Sequence, residues 1–135
     1  MNKIISYDMS THTYMVEVEI KNKIFYGEAK CSKVDWDNES ELFGYGLASD
    51  RAMSSYYSWL IRHYKKQYKL IKNFVSAVTQ YKDFDSTSPS ARKMFRQLNM
   101  YQKKIDGAKE TKGFYDYCIK KRIEGVKGSK TASNS

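Results

Sequence analysis

The chain has 135 residues and a formal net charge of +9, from 24 Lys and Arg against 15 Asp and Glu. That length suits one ordinary domain, and 41% hydrophobic with 29% charged residues excludes a disordered chain, while no apolar run approaches the roughly 20 residues of a membrane-spanning helix. Such a surplus of cations, with twelve tyrosines against a single proline, disfavours a simple acid-hydrolase site and points to an anionic partner.

The opening residues 3–8 read as a short strand, and their apolar part is too short for a secretory signal. Residues 12–31 read as a β-hairpin. Tyr14, Val16, Val18 and Ile20 alternate with Met15, Glu17, Glu19 and Lys21, the period-two pattern of a half-buried strand. A two-residue turn at Asn22-Lys23 predicts the pairs Ile20–Phe25, Val18–Gly27, Val16–Ala29 and Tyr14–Cys31, all on the apolar face. It also sets Glu17 against Glu28, an unfavourable cross-strand pair. Since a lone hairpin is marginal in water, residues 3–8 are expected to supply a third strand.

Residues 32–41 form an acidic connection, in which Asn38 or Ser40 can cap the following helix. A long helix is predicted from about Ser40–Phe43 towards Tyr81. Gly44 and Gly46 near its start weaken it or let another backbone approach closely. On ideal helical geometry Leu60, Tyr64, Ile71, Phe74, Val75 and Val78 fall within about 50° of one direction. Arg62, Lys65, Lys66, Lys69 and Lys72 centre on the opposite side. Ser88 as N-cap and Pro89 at the first helical position start a second helix, about 89–105, expected to bury Met94, Phe95, Leu98, Tyr101 and Ile105. Asp106-Gly107 is read as its end. A last helix over about 111–124 carries Phe114, Tyr115, Cys118, Ile119 and Ile123, and residues 125–135 read as a disordered tail. The fold class expected is α+β. A small antiparallel sheet of about three strands packs on one long helix, followed by two further helices, in a single domain over 1–124.

Charge is distributed unevenly along this order. Residues 1–50 sum to −4 and residues 51–135 to +13, and no acidic residue occurs between Arg51 and Lys82. Helix stability does not ask for this, because pairs of opposite charge at i,i+4 stabilise and like pairs do not. Arg62, Lys65, Lys66, Lys69 and Lys72 are spaced to track a phosphate backbone. A second set, Arg92, Lys93, Arg96, Lys103 and Lys104, lies on the next helix, and a third is Lys120-Lys121-Arg122. Tyrosines interleaved with these cations can stack on bases, as in sequence-tolerant single-strand binders. Most suit the edge of the core instead, with Tyr68 and Tyr57, off the main apolar line, as the better stacking candidates. The alternative surface is the acidic one, Asp35, Asp37, Glu39 and Glu41, which suits a basic groove on a partner protein.

Catalytic signals are weak. Asp35-Trp36-Asp37-Asn38-Glu39 lacks the sixth-position glycine of a calcium loop, and Gly46 stands where its twelfth-position Glu belongs. A metal-dependent nuclease is the third reading, resting on Asp35, Asp37, Glu39 and Asp50, for which capping and solvation are the simpler role. His12 and His63 have no metal-ligand spacing, Cys31 and Cys118 no nucleophile or CxxC motif, and no glycine-rich phosphate loop is present. No cofactor or metal is expected, the thiols are read as reduced, and the protein as non-enzymatic.

Gly27-Glu28-Ala29-Lys30-Cys31, then Asp35, then Gly46-Leu47-Ala48 and Arg51-Ala52 follow a pattern in which a G-x-A-x-C strand end leads through an acidic loop into a helix with G-x-x-x-A-x-x-R-A. This segment, residues 27–52, resembles small uncharacterised proteins of phages and prophages of low-GC Gram-positive bacteria. Its physical content is packing. Gly27, Ala29, Gly46, Ala48 and Ala52 are small where a helix crosses a sheet, and Arg51 is placed to fold onto Asp35 or Asp37. The resemblance implies a phage protein in the bacterial host cytoplasm that inhibits defence machinery, of the anti-CRISPR kind. The expected partner is nucleic acid or a nucleoprotein, such as a CRISPR effector with its guide RNA. A homodimer is admitted, and membrane association is not expected.

Overall fold

The structure is a computed structural model that describes residues 1–31 and 40–133, with side chains as far as Gly125. Three strands, β1 (Asn2–Asp8), β2 (Thr13–Ile20) and β3 (Lys23–Lys30), precede two helices, α1 (Glu41–Val78) and α2 (Pro89–Ser133). The strands form one antiparallel sheet in the order β1-β2-β3. The fold is α+β, as the alternation and the helical periodicity predict.

The hairpin register differs from the predicted one by two residues. The turn is Lys21-Asn22, both at positive φ (52° and 65°), and the pairs are Ile20–Lys23, Val18–Phe25, Val16–Gly27 and Tyr14–Ala29. This is the backbone of a primed two-residue turn, whose twist matches that of the strands and in which Asn is tolerated better than Lys at the second position. A slip of two keeps every side chain on its face. It also removes the Glu17–Glu28 clash, since Glu17 now faces Tyr26, and Glu28 faces Met15.

By its contacts the chain groups into two compact units. One comprises Met1–Tyr57 with Thr111–Ser135, and the other Ser58–Glu110. In the first, Tyr14, Val16, Val18, Ala29, Leu47, Ala48 and Ala52 form the core, flanked by Ile119 and Ile123 of α2. α1 crosses the sheet at Gly27, where a Cβ would strike the Ala48 carbonyl oxygen and the Ala52 nitrogen. Gly44 accommodates the ring of Tyr14, and Gly46 the guanidinium of Arg122 rather than another backbone. The expected small-residue crossing is therefore present, formed by Gly27, Ala48 and Ala52. Arg51 does not need an acidic partner for its place: its Nη1 donates to the Glu28 carbonyl oxygen at 2.8 Å. Asp35 and Asp37, the partners expected for it, lie outside the described residues.

The second unit is a helical hairpin, the end of α1 and the start of α2 joined by residues 79–88. Leu60 and Val75 of α1, and Ala91, Ile105 and Ala108 of α2, are buried. On α2 the line Ala91, Met94, Leu98, Tyr101, Ile105, Ala108 advances by threes and fours, the spacing that keeps one stripe against a partner helix. Tyr64 meets Tyr101 with ring centroids 6.2 Å apart.

Both helix starts agree with the cap signals. Ser40 Oγ accepts from the Phe43 N–H and Ser88 Oγ from the Ala91 N–H, each at 3.2 Å, with Pro89 next to the second cap. Asp106-Gly107 does not end a helix. α2 runs through it to Ser133, into the stretch read as a tail, so two further helices are replaced by one. A mid-helix glycine costs only about 1 kcal/mol relative to alanine, and Ile105 and Ala108 on either side are buried, which outweighs it. Two rings assigned to apolar faces are exposed instead, Phe74 (58%) and Phe95 (37%), as is Phe114 (60%) further along α2. Each sits at the border of its helix's apolar stripe, where a projection cannot tell how wide the covering neighbour is.

Candidate nucleic-acid interface

The helical-hairpin unit contains twelve Lys and Arg against four Asp and Glu, a net +8 of the chain's +9. The charge asymmetry first visible along the sequence is thus a property of one folded unit. Arg62, Lys65, Lys66, Lys69 and Lys72 are all exposed on α1, opposite the line of Leu60, Tyr64, Ile71 and Val75. They occupy that side because the other is filled by packing against α2, and a lysine ammonium stays in water whenever it can.

Arg92, Lys93, Arg96, Lys103 and Lys104 are likewise exposed on α2. Arg96, Asn99, Met100, Lys103 and Lys104 line a shallow groove of about 540 Å³ on this helix. Lys104 differs from the others. Its Nζ lies 5.5 Å from the Tyr64 ring centroid and 5.4 Å from that of Tyr101, so it caps the seam between the helices by cation–π contact. Lys72 lies 6.0 Å from the ring of Tyr68, which is half-buried. Among the described residues, none of these ten cations forms an ion pair.

The third predicted set is engaged elsewhere. Lys120 and Lys121 pair with Glu124 at 3.9 and 3.5 Å, and Arg122 Nε donates to Asp50 Oδ2 at 2.8 Å. Tyr57 is also committed, stacked on Tyr115 at 5.8 Å between centroids and edge-on to Tyr56 at 4.9 Å. These rings build an aromatic cluster in the sheet unit, where burial first, then the neighbouring Tyr57 and Asp50, pushes the Tyr115 phenol above its ordinary value.

Of the alternative acidic surface, Asp35, Asp37 and Glu39 lie outside the described residues, and Glu41 is exposed in the first turn of α1. The register shows a different acidic surface that sequence reasoning missed. Glu17, Glu19 and Glu28 share the outer face of the sheet with Ile4, Met15, Ile24 and Tyr26. Ile4 (56%), Ile24 (64%) and Tyr26 (45%) are exposed there. The Tyr26 hydroxyl donates to Glu28 Oε2 at 2.8 Å, a bond that raises the tyrosine's pKa. The alternation already placed those glutamates opposite the core, which was the available signal.

Among the described residues no group of three or more His, Cys, Asp or Glu converges to hold a metal ion. His12 accepts or donates a hydrogen bond with the Tyr7 hydroxyl at 3.1 Å, and the ring of His63 stacks on Trp59 at 5.3 Å. No helix among the described residues is long and apolar enough to cross a membrane. Comparison with protein-family models, with curated proteins and with solved structures finds no match to the chain.

Proposed function

We propose that this chain is a non-enzymatic protein that binds nucleic acid, or a nucleoprotein, through the exposed cations of its helical hairpin. The carrying observation is the concentration of +8 on residues 58–110, with the predicted cations exposed and free of ion pairs among the described residues. Folding gains little from like charges held along one helix face, whereas a polyanion releases counterions on meeting them. The phage resemblance of residues 27–52 supports a more specific role, inhibition of a host defence nuclease of the anti-CRISPR kind. That role is tested by adding the purified protein to a CRISPR effector cleavage assay.

The binding test is a salt titration. Engagement of the five α1 cations gives a slope of log affinity against log salt of about −4.5 for duplex DNA, or about 500-fold weaker binding between 50 and 200 mM salt. Replacing Lys65, Lys66, Lys69 and Lys72 by Glu takes the hairpin from +8 to neutral and is expected to abolish binding. Unchanged affinity in that variant would remove the proposal.

A second reading is favoured by the outer face of the sheet, where Glu17, Glu19 and Glu28 lie among exposed apolar side chains. Such a face suits docking on a basic protein surface by charge complementarity. Changing Glu17, Glu19 and Glu28 to Lys separates the two, since only this second reading loses binding.

A further inference from the structure

The hairpin's cations do not stand alone on their surface. Leu70 is 56% exposed, Phe74 58% and Tyr81 72%, at the end of α1 and just beyond it. Lys66, Leu70 and Phe74 follow one another at intervals of four residues, so they lie on successive turns about 6 Å apart. Lys69 neighbours this row from one side, and Tyr81 is followed directly by exposed Lys82. Tyr81 is held at the hairpin tip by its own backbone, whose N–H donates to the Val78 carbonyl oxygen. Leu70, Phe74 and Tyr81 thus lie beside cations that form no ion pair among the described residues.

We propose that Phe74 on this row and Tyr81 at the hairpin tip are stacking positions, and that the nucleic acid bound by the hairpin is single-stranded. The proposal rests on the nucleic-acid reading above and names its ligand class. Phosphates answer the lysines in either a duplex or a single strand. Only a single strand also offers open base faces to Phe74 and Tyr81, because a duplex buries those faces against each other. A second copy of this chain is a poor occupant, since it would bring another unit of +8 against the first.

The experiment compares a labelled oligo(dT) of about 20 nucleotides with a duplex of about 20 base pairs, using full-length protein. The wild type is expected to hold the oligo(dT) more tightly. The double variant Phe74→Ser/Tyr81→Ser should weaken oligo(dT) binding at least tenfold, with duplex affinity and the salt slope unchanged. Both side chains are exposed, so folding is not at stake, and Phe74→Trp supplies a direct readout: its fluorescence should be quenched by oligo(dT) and not by the duplex. Equal affinity of the wild type for both probes, or equal losses for both in the double variant, would overturn the single-strand assignment and leave nucleic-acid binding standing. Binding of neither probe would overturn both. Self-association of the wild type by sedimentation, lost in Phe74→Ser/Tyr81→Ser, would assign the row to a second copy and overturn the proposal.

Discussion

α1 crosses β3 closely at Gly27, and Gly27→Ala tests that crossing. The added methyl would meet two backbone atoms at once, the Ala48 carbonyl oxygen and the Ala52 nitrogen, with the Ala48 carbonyl carbon at 3.1 Å. No side chain can swing aside to relieve this, so α1 must lift from the sheet and loosen Val16, Val18, Ala48 and Ala52, all at most 1% exposed. Overpacking of this kind costs about 1–3 kcal/mol, and here the upper end applies because backbone meets backbone. Alanine's small conformational advantage over glycine, about 0.5–1 kcal/mol, offsets only part of it. The expected net loss is about 2 kcal/mol, or about 8 °C in Tm for a chain of this size. Urea unfolding followed by circular dichroism measures it. Gly113→Ala is the control, since nothing lies within 4 Å of that position inside α2. It should stabilise by about 0.5–1 kcal/mol. A Gly27→Ala protein as stable as the wild type would refute the close crossing.

Asp50 and Arg122 join α1 to α2 within the sheet unit through a 2.8 Å bond, with the Asp50 side chain 14% and Arg122 39% exposed. A double-mutant cycle with Asp50→Asn and Arg122→Met should return a coupling of about 1 kcal/mol, discounted for the solvent at Arg122. For Asp116, burial acts to raise the carboxyl's pKa, but hydrogen bonds from Lys112 and Ser54 outweigh it and hold the value below the ordinary 3.8. The folded state therefore binds fewer protons, so Asp116 stabilises above the ordinary carboxylate range and that contribution disappears as pH falls through the lowered value. Urea titrations from pH 5 to about pH 2 should show the stability gap between wild type and Asp116→Asn narrowing with acid; a constant gap would contradict the assignment.

The elements whose periodicity is local were legible in the sequence. Alternation in 12–31 put Tyr14, Val16 and Val18 on the buried face, and Ser40, Ser88 and Pro89 marked helix starts that need no distant partner. Even the misplaced turn preserved the faces, because a slip of two is invisible to a period of two. The cationic side of α1 was equally readable, since side chains at helical spacing must share a face.

Other features waited on distant contacts. Gly107 looked like a helix end because a local glycine penalty was weighed without the burial of Ile105 and Ala108 that overrides it. Exposure of Phe74 and engagement of Lys104 with Tyr64 and Tyr101 depend on where the opposite helix lies. The sharpest case is the charge itself. Sequence order divided it at residue 50 into −4 and +13, while folding returns 111–135 to the sheet unit and leaves +8 on 58–110 alone. Composition and periodicity determine that this protein has a basic helix face. Which cations remain free for a partner is decided by long-range packing, because a charge is neutralised by its neighbours in space and not by its neighbours along the chain.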